Sequence, residues 1–261
     1  MPVLPSFDPL VPDPDLLDQH LLDPFVARAL VAQADVGHDD LVLDLGAGTG
    51  SLTDAILSRR PRRVIAVEPD RRCHRWLANR SAVDLRPARV QDLDPQALAE
   101  VTMIIANPPF SVLQHVVALA RGLPRLRCAY LCTGRHWATA ATATPDDDHF
   151  SIISLEVTTF FEPTVLTAIP GTAFTPPIPG PAAWLRLVPR ADQDPMIMLL
   201  VDAIRHRGGL RLKDFLRSPQ PPLAARLRPL RSDPVLRRLQ QRRLAAMTRA
   251  DLAQLARRLQ R

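Results

Sequence analysis

The stretch LVLDLGAGTGSLTDAIL, Leu41 to Leu57, decides the fold. LVLDL (41–45) is a short apolar run of the kind that forms a strand buried in a parallel sheet, and SLTDAILSRR (51–60) carries apolar residues at helical spacing. Between them stand Gly46, Gly48 and Gly50. A strand that turns through glycines into a helix lets a ligand approach the backbone closely, with the helix N-terminus facing it.

Outward from this unit the same alternation recurs. VIAVEP (64–69), LRPARVQDL (85–93), TMIIANPPF (102–110) and RCAYLCT (127–133) read as strands, with RRCHRWLANR (71–80) and SVLQHVVALARGL (111–123) as helices among them. Strands separated by helical crossovers imply an α/β, doubly wound, mostly parallel Rossmann-like sheet. Upstream, LLDPFVARALVAQA (21–34) is a helix with Asp23 as N-cap and Pro24 at its first position, and residues 1–16, rich in Pro and Asp, form a flexible lead-in. Downstream, SIISLEVTTFFEPTVLTAI (151–169) and AAWLRLVPR (182–190) read as further strands, antiparallel additions at one sheet edge. TAFTPPIPGP (172–181) is too proline-dense for a central strand, because proline lacks the N–H that a ladder requires.

The chain of 261 residues therefore divides into the lead-in, a catalytic α/β domain at 17–190 and a small helical domain at 191–261, whose final helix has Thr248 as N-cap. Segments 196–206, 210–217, 222–230 and 233–247 all read as helical there. Net charge is +6, unevenly spread: residues 191–261 hold 16 basic and 6 acidic residues, a local +10, which leaves −4 for the rest. Such a basic segment on a mildly acidic body suits a polyanion such as RNA, although a solvated helical surface is the plain alternative. Lys213 is the only lysine. The three cysteines, Cys73, Cys128 and Cys132, form no CxxC pair, which points to a reducing compartment and no structural metal. No segment reads as a secretory leader or a membrane span, so the expectation is a cytoplasmic protein, a monomer by default.

GxGxG alone is weak, since dinucleotide enzymes and tight turns use it too. GAGTGSLT, however, lacks the third glycine of the dinucleotide fingerprint, and Glu68 at the end of the next strand can accept both hydroxyls of a ribose. Asp92, read at the end of the third strand, can accept from an adenine amino group. Loop, ribose carboxylate and adenine carboxylate at successive strand ends describe a site for S-adenosylmethionine.

ANPPF (106–110) ends the fourth strand and is the most specific motif in the chain. In such a turn the Asn107 side-chain carbonyl and the Pro108 backbone carbonyl converge, two acceptors suited to a planar NH2. An adenine amino nitrogen is a poor nucleophile because its lone pair is delocalised into the ring. Two acceptors pulling on its hydrogens favour the geometry that attacks a methyl group, while Phe110 stacks on the flipped base.

With these motifs in order, the chain resembles the ribosomal RNA adenine N6-methyltransferases, which comprise the Erm-type macrolide-resistance methyltransferases and the KsgA-type dimethyltransferases. DQHLLDPFVARALV (18–31) is similar to the family's opening motif, which implies that Gln19, His20 and Leu21 hold the methionine part of the cofactor. DLGAGTGSLT, AVEPD and VQD match its cofactor motifs, implying contacts from Gly46, Gly48, Glu68, Pro69 and Asp92. NPPF stands where the family has Asn-Ile/Leu-Pro-Tyr/Phe, which assigns catalysis to Asn107, Pro108 and Phe110, with Asn107 also at the cofactor. IPGTAFTPPIPGPAAWLRLVPR resembles the segment that places an aromatic, here Phe174, beside the target base.

The tail VDAIRHRGGLRLKDFLR (201–217) looks more Erm-type than KsgA-type, which implies an adenine of 23S rRNA, protein-free or before assembly, as substrate and a role in antibiotic self-resistance. A KsgA-type 16S rRNA dimethyltransferase, a glutamine side-chain methyltransferase and a noncatalytic RNA-binding or assembly factor are the other readings. YLCTGRHWATA (130–140) departs from the family, which has a Gln- or Glu-bearing stretch where Thr133 and His136 stand. His136 and Trp137 read either as a packed or solvated loop or as side chains that stack on RNA. Trp76 reads as core or as a wall of the cofactor pocket.

Overall fold

The computed structural model describes residues 19–217 and 223–260, so the expected flexible lead-in at 1–16 lies outside the described residues. A two-residue strand, β1 (Leu21–Leu22), leads into α1 (Pro24–Val31). Asp23 caps this helix, accepting from the backbone N–H groups of Phe25 at 2.8 Å and Val26 at 3.1 Å. The alternation follows: β2 (Leu41–Leu45), α2 (Ser51–Ser58), β3 (Arg63–Val67), α3 (Arg71–Leu77), β4 (Val83–Arg86), β5 (Met103–Ala106), α4 (Leu113–Arg121) and β6 (Cys128–Gly134). Then come α5 (Arg135–Thr142), α6 (Ile152–Phe160), β7 (Phe161–Ile169), β8 (Phe174–Thr175) and β9 (Ala182–Pro189).

Seven of these strands form one sheet in the order β4-β3-β2-β5-β6-β9-β7. The pairings from β4 through β6 are parallel, and β9 and β7 extend that edge antiparallel. The chain runs outward from β2 to β4, then returns to lay β5 on the other flank of β2. That reversal opens a crevice between the carboxyl ends of β2 and β5, the place where doubly wound sheets take ligands. GAGTG follows β2 and NPPF follows β5, so the topology brings the two motifs together.

Strand alternation feeds two cores. Val42, Met103 and Ile105 face the side covered by α1 and α2, while Leu41, Leu43 and Leu45 join the cluster on the opposite face. This second cluster also takes the buried residues of the tail helices α7 (Pro195–Ile204), α8 (Leu212–Arg217), α9 (Ala224–Leu227) and α10 (Arg249–Leu259), among them Leu200, Phe215, Leu227 and Leu252. The tail is thus packed on the sheet side rather than tethered beside it. A largely buried ion cluster reinforces the junction: Glu156 of α6 pairs with Arg205 of α7 and lies 4.0 Å from Arg121 of α4, while Asp202 pairs with Arg121. Thr248 caps α10 in a capping box with Asp251.

Three expectations are corrected. The run at 151–169 is not all strand: its first half is α6, because Ser151 and Ser154 form a capping box and an apolar run of this length has no diagnostic period. The strand read at 85–93 ends at Arg86, and Val90–Asp92 is a single 3-10 turn. In the tail, 233–247 is not one helix but 3-10 turns at Pro234–Leu236, Leu239–Gln241 and Leu244–Ala246. Leu227, Leu230, Leu236 and Leu239 are buried at multiples of three residues, a spacing that suits 3.0 residues per turn better than 3.6. The proline-dense segment stays outside the central sheet, where β8 pairs antiparallel with β1.

Candidate active site

A cavity of about 330 Å³ opens at the crevice. Its floor is the glycine loop, in which Gly46, Gly48 and Gly50 have φ of 74°, 54° and 100°, a left-handed conformation that disfavours side chains. A Cβ on Gly48 would also stand 3.0 Å from Cδ2 of Leu21, so the loop is shaped to keep this space clear. Gln19, His20, Leu21, Glu68 and Pro69 line the cavity, and Gln19 donates to the Cys73 thiol at 3.6 Å, which ties this opening segment to the start of α3 beside Glu68. Asn107 lines the cavity as well.

Glu68 is the electrostatic feature of this wall. Its side chain is buried, yet one oxygen accepts from the Gly48 N–H at 2.7 Å and the other from the Asp70 N–H at 2.8 Å. Burial pushes its carboxyl above the ordinary range, opposed by those two backbone donors. Each oxygen retains a lone pair for a further donor from the cavity. Below it, Asp44 is fully buried in β2; loss of water raises its pKa to about 7, although Thr53 donates to it at 2.7 Å. The other Asp44 oxygen has no partner among the described residues.

Asn107 lines this cavity and a second one of about 470 Å³. Its Nδ2 donates to the His20 carbonyl at 2.9 Å. A carbonyl only accepts, so this bond fixes the amide orientation and turns Oδ1 away as an acceptor with no partner among the described residues. His20 also lines both cavities, and its Nδ1 lies 2.7 Å from the Pro176 carbonyl, which makes Nδ1 the protonated ring nitrogen. One backbone residue therefore holds Asn107 and the proline segment together.

Pro108, Phe110 and Phe174 line the second cavity. Phe110 is 37% exposed, whereas Phe174 is almost wholly buried. The remaining wall comes from Gly134, Arg135, His136 and Trp137 at the start of α5 and from Ile178 to Pro181. The structure thus brings together all the residues expected to hold cofactor or substrate or to act in catalysis, except Asp92. Asp92 is exposed in its 3-10 turn and does not line the first cavity, whereas its neighbour Gln91 does. Trp76 is neither core nor wall: it is half-buried with the Arg75 guanidinium 4.0 Å over its ring.

Gln91, Thr49 and Ser111 are polar cavity residues that sequence reasoning missed. For Thr49 and Ser111 the signal was their place beside the glycine loop and the NPPF turn.

Comparison with known proteins adds a family to this geometry. A family model described as "Ribosomal RNA adenine dimethylase" matches residues 14–196. The "Ribosomal RNA small subunit methyltransferase A" of Gloeobacter violaceus is 32% identical over 180 residues, which are 66% of this chain and 65% of that protein. The chain therefore aligns with slightly under two thirds of the length of that relative. Among solved structures, a dimethyladenosine transferase from Plasmodium falciparum superposes with a TM-score of 0.68 at 19% identity, covering 90% of this chain and 96% of the other. The 23S rRNA methyltransferase ErmE superposes at 0.60 with 18% identity, covering 93% and 100%. Both structural likenesses speak to the fold.

Proposed function

Because the chain belongs to the ribosomal RNA adenine dimethylase family, we propose that it transfers methyl groups from S-adenosylmethionine to the N6 amino group of an rRNA adenine. The observation that carries this reading is Asn107, held by His20 so that its Oδ1 faces out where the two cavities meet. The first cavity suits the cofactor: glycines keep its floor clear, and the buried Glu68 carboxylate has lone pairs for ribose hydroxyls. In this reading Gln19, His20 and Leu21 hold the methionine part and Glu68, Pro69 and Gln91 the nucleoside, all of them lining the cavity, with Asp92 one residue outside it.

When bound, S-adenosylmethionine supplies an electrophilic methyl group on sulfur. The chain's own groups then have a positioning task. Asn107 Oδ1 and the Pro108 carbonyl accept hydrogen bonds from the target NH2, which draws the nitrogen lone pair out of the ring. Phe110 stacks on the base, and Phe174 closes its edge. No strong base is needed, since the amino group loses its proton readily once alkylated.

Small-subunit rRNA is the substrate we favour, on the name that the Gloeobacter violaceus relative carries. The 23S rRNA reading, and with it antibiotic self-resistance, rests on the Erm-type likeness of residues 201–217. Incubation with labelled S-adenosylmethionine and protein-free 16S or 23S rRNA separates them. Label in 16S alone supports the first reading, label in 23S alone reverses the choice, and label in neither removes rRNA as substrate. The noncatalytic alternative predicts no binding of the cofactor at all.

A further inference from the structure

The second cavity is larger than its proposed reaction needs. A purine base at organic-crystal packing density fills on the order of 150 Å³, against about 470 Å³ here. Asn107, Pro108 and Phe110 line part of that volume, and the start of α5 and residues 178–181 line more of it. Gly134 sits directly beneath Phe110: a Cβ there would come within 3.3 Å of the ring, so the base platform and α5 are in contact.

Arg135 and His136, the next two residues, are exposed at the cavity, and neither side chain has a hydrogen bond or ion pair among the described residues. Trp137 beside them is half-buried, its body against the core and part of it on the cavity wall. Among the described residues, no Asp or Glu lines this cavity. An unpaired guanidinium, an imidazole and an indole around a space free of carboxylates are the chemistry that holds a nucleotide, with cations for phosphate and rings for a base.

We propose that Arg135, His136 and Trp137 form a subsite for the nucleotide adjacent to the target adenine, so that this cavity reads two neighbouring RNA residues rather than one. The inference rests on the RNA-methyltransferase reading above. In it, the target base lies on Phe110, the neighbouring base stacks against Trp137 and His136, and Arg135 meets a backbone phosphate. These residues are positioning and specificity residues, since none touches the reacting atoms.

The test uses the whole protein with S-adenosylhomocysteine and a fluorescein-labelled single-stranded RNA pentamer, adenine at its centre and purines on both flanks. The same pentamer is made with an abasic site on each side of the adenine in turn. The wild-type protein binds one of the abasic pentamers about ten-fold more weakly than the intact one. Both His136→Ala and Trp137→Ala weaken the intact pentamer by a similar factor and show no further loss on that abasic pentamer. Arg135→Ala steepens no salt dependence; it flattens it, because one phosphate contact is gone. His136 and Arg135 are exposed, so their variants keep the test valid should Trp137→Ala fail to fold. Unchanged pentamer affinity in His136→Ala and Arg135→Ala, or losses from variant and abasic site that multiply, overturns the subsite. Absence of methyl transfer to rRNA alongside a retained pentamer effect overturns the catalytic reading instead.

Discussion

Replacing Glu68 by Gln removes one negative charge and one acceptor from the cofactor wall with almost no change of volume. Both carboxylate oxygens are already committed, to Gly48 N–H at 2.7 Å and Asp70 N–H at 2.8 Å. A carboxamide has a single oxygen, so one of these buried donors is left facing an NH2 group. An unsatisfied buried donor costs about 1–3 kcal/mol, which in a chain of this size lowers the thermal midpoint by roughly 2–4 °C per kcal/mol. The ribose loses about as much as the fold does. Bonds from its hydroxyls to a charged acceptor are worth about 1.5–3 kcal/mol, so affinity falls by roughly 10- to 150-fold. Isothermal titration of wild type and Glu68→Gln with S-adenosylhomocysteine measures this directly, with a thermal scan of each unliganded protein beside it. A variant that melts a few degrees lower yet binds S-adenosylhomocysteine as tightly as wild type would refute the ribose role of Glu68 and leave it a clamp for the Gly48 and Asp70 backbone.

Other outcomes follow from the same geometry. Asn107→Ala lowers methyl transfer by about 10²–10³-fold or more, as loss of a transition-state hydrogen-bonding group does, while the dissociation constant for S-adenosylhomocysteine changes little; parallel collapse of both would reassign Asn107 to the cofactor. Asp44, raised to about 7 by burial, keeps its proton in the folded chain at pH values where the unfolded chain has released it, so its contribution to stability falls as pH rises from about 4 to about 7 and is flat above. Asp44→Asn therefore flattens that part of the pH dependence of the thermal midpoint; an unchanged slope would show that Asp44 does not titrate there. Arg237, Arg238 and Arg243 are exposed on the tail, and replacing all three by Gln makes the dependence of log affinity for single-stranded RNA on log salt shallower by about 2 units. An identical slope would place the phosphate contacts elsewhere on the surface.

What the sequence made legible was whatever local chemistry fixes. Asp23-Pro24 and Thr248 with Asp251 are caps whose donors and acceptors lie within one turn, and both helices start where those residues say. The parallel sheet followed from period alone. The pairing of GAGTG with NPPF was legible only through topology, since the crevice exists because the chain reverses direction after β4. The misreadings are tertiary in origin. Residues 152–160 are apolar enough for either element, and the capping box at Ser151 decides for helix. Asp92 was placed by assuming that the strand continued; the chain instead leaves the sheet at Arg86 and turns, which aims Gln91 at the cavity in place of Asp92. Arg135, His136 and Trp137 carried no signal that told a packed loop from a binding wall until α5 was seen to begin at the cavity beside Phe110.

Nucleoside mass analysis of rRNA after reaction with the wild-type protein and S-adenosylmethionine bears most directly on the grip of Asn107 and Pro108 on an exocyclic amino group. The expected product is N6-methyladenosine or N6,N6-dimethyladenosine, absent when Asn107→Ala replaces the wild type. Methylation at a ring nitrogen, at a ribose hydroxyl or on a protein glutamine, with adenine N6 untouched, would contradict it.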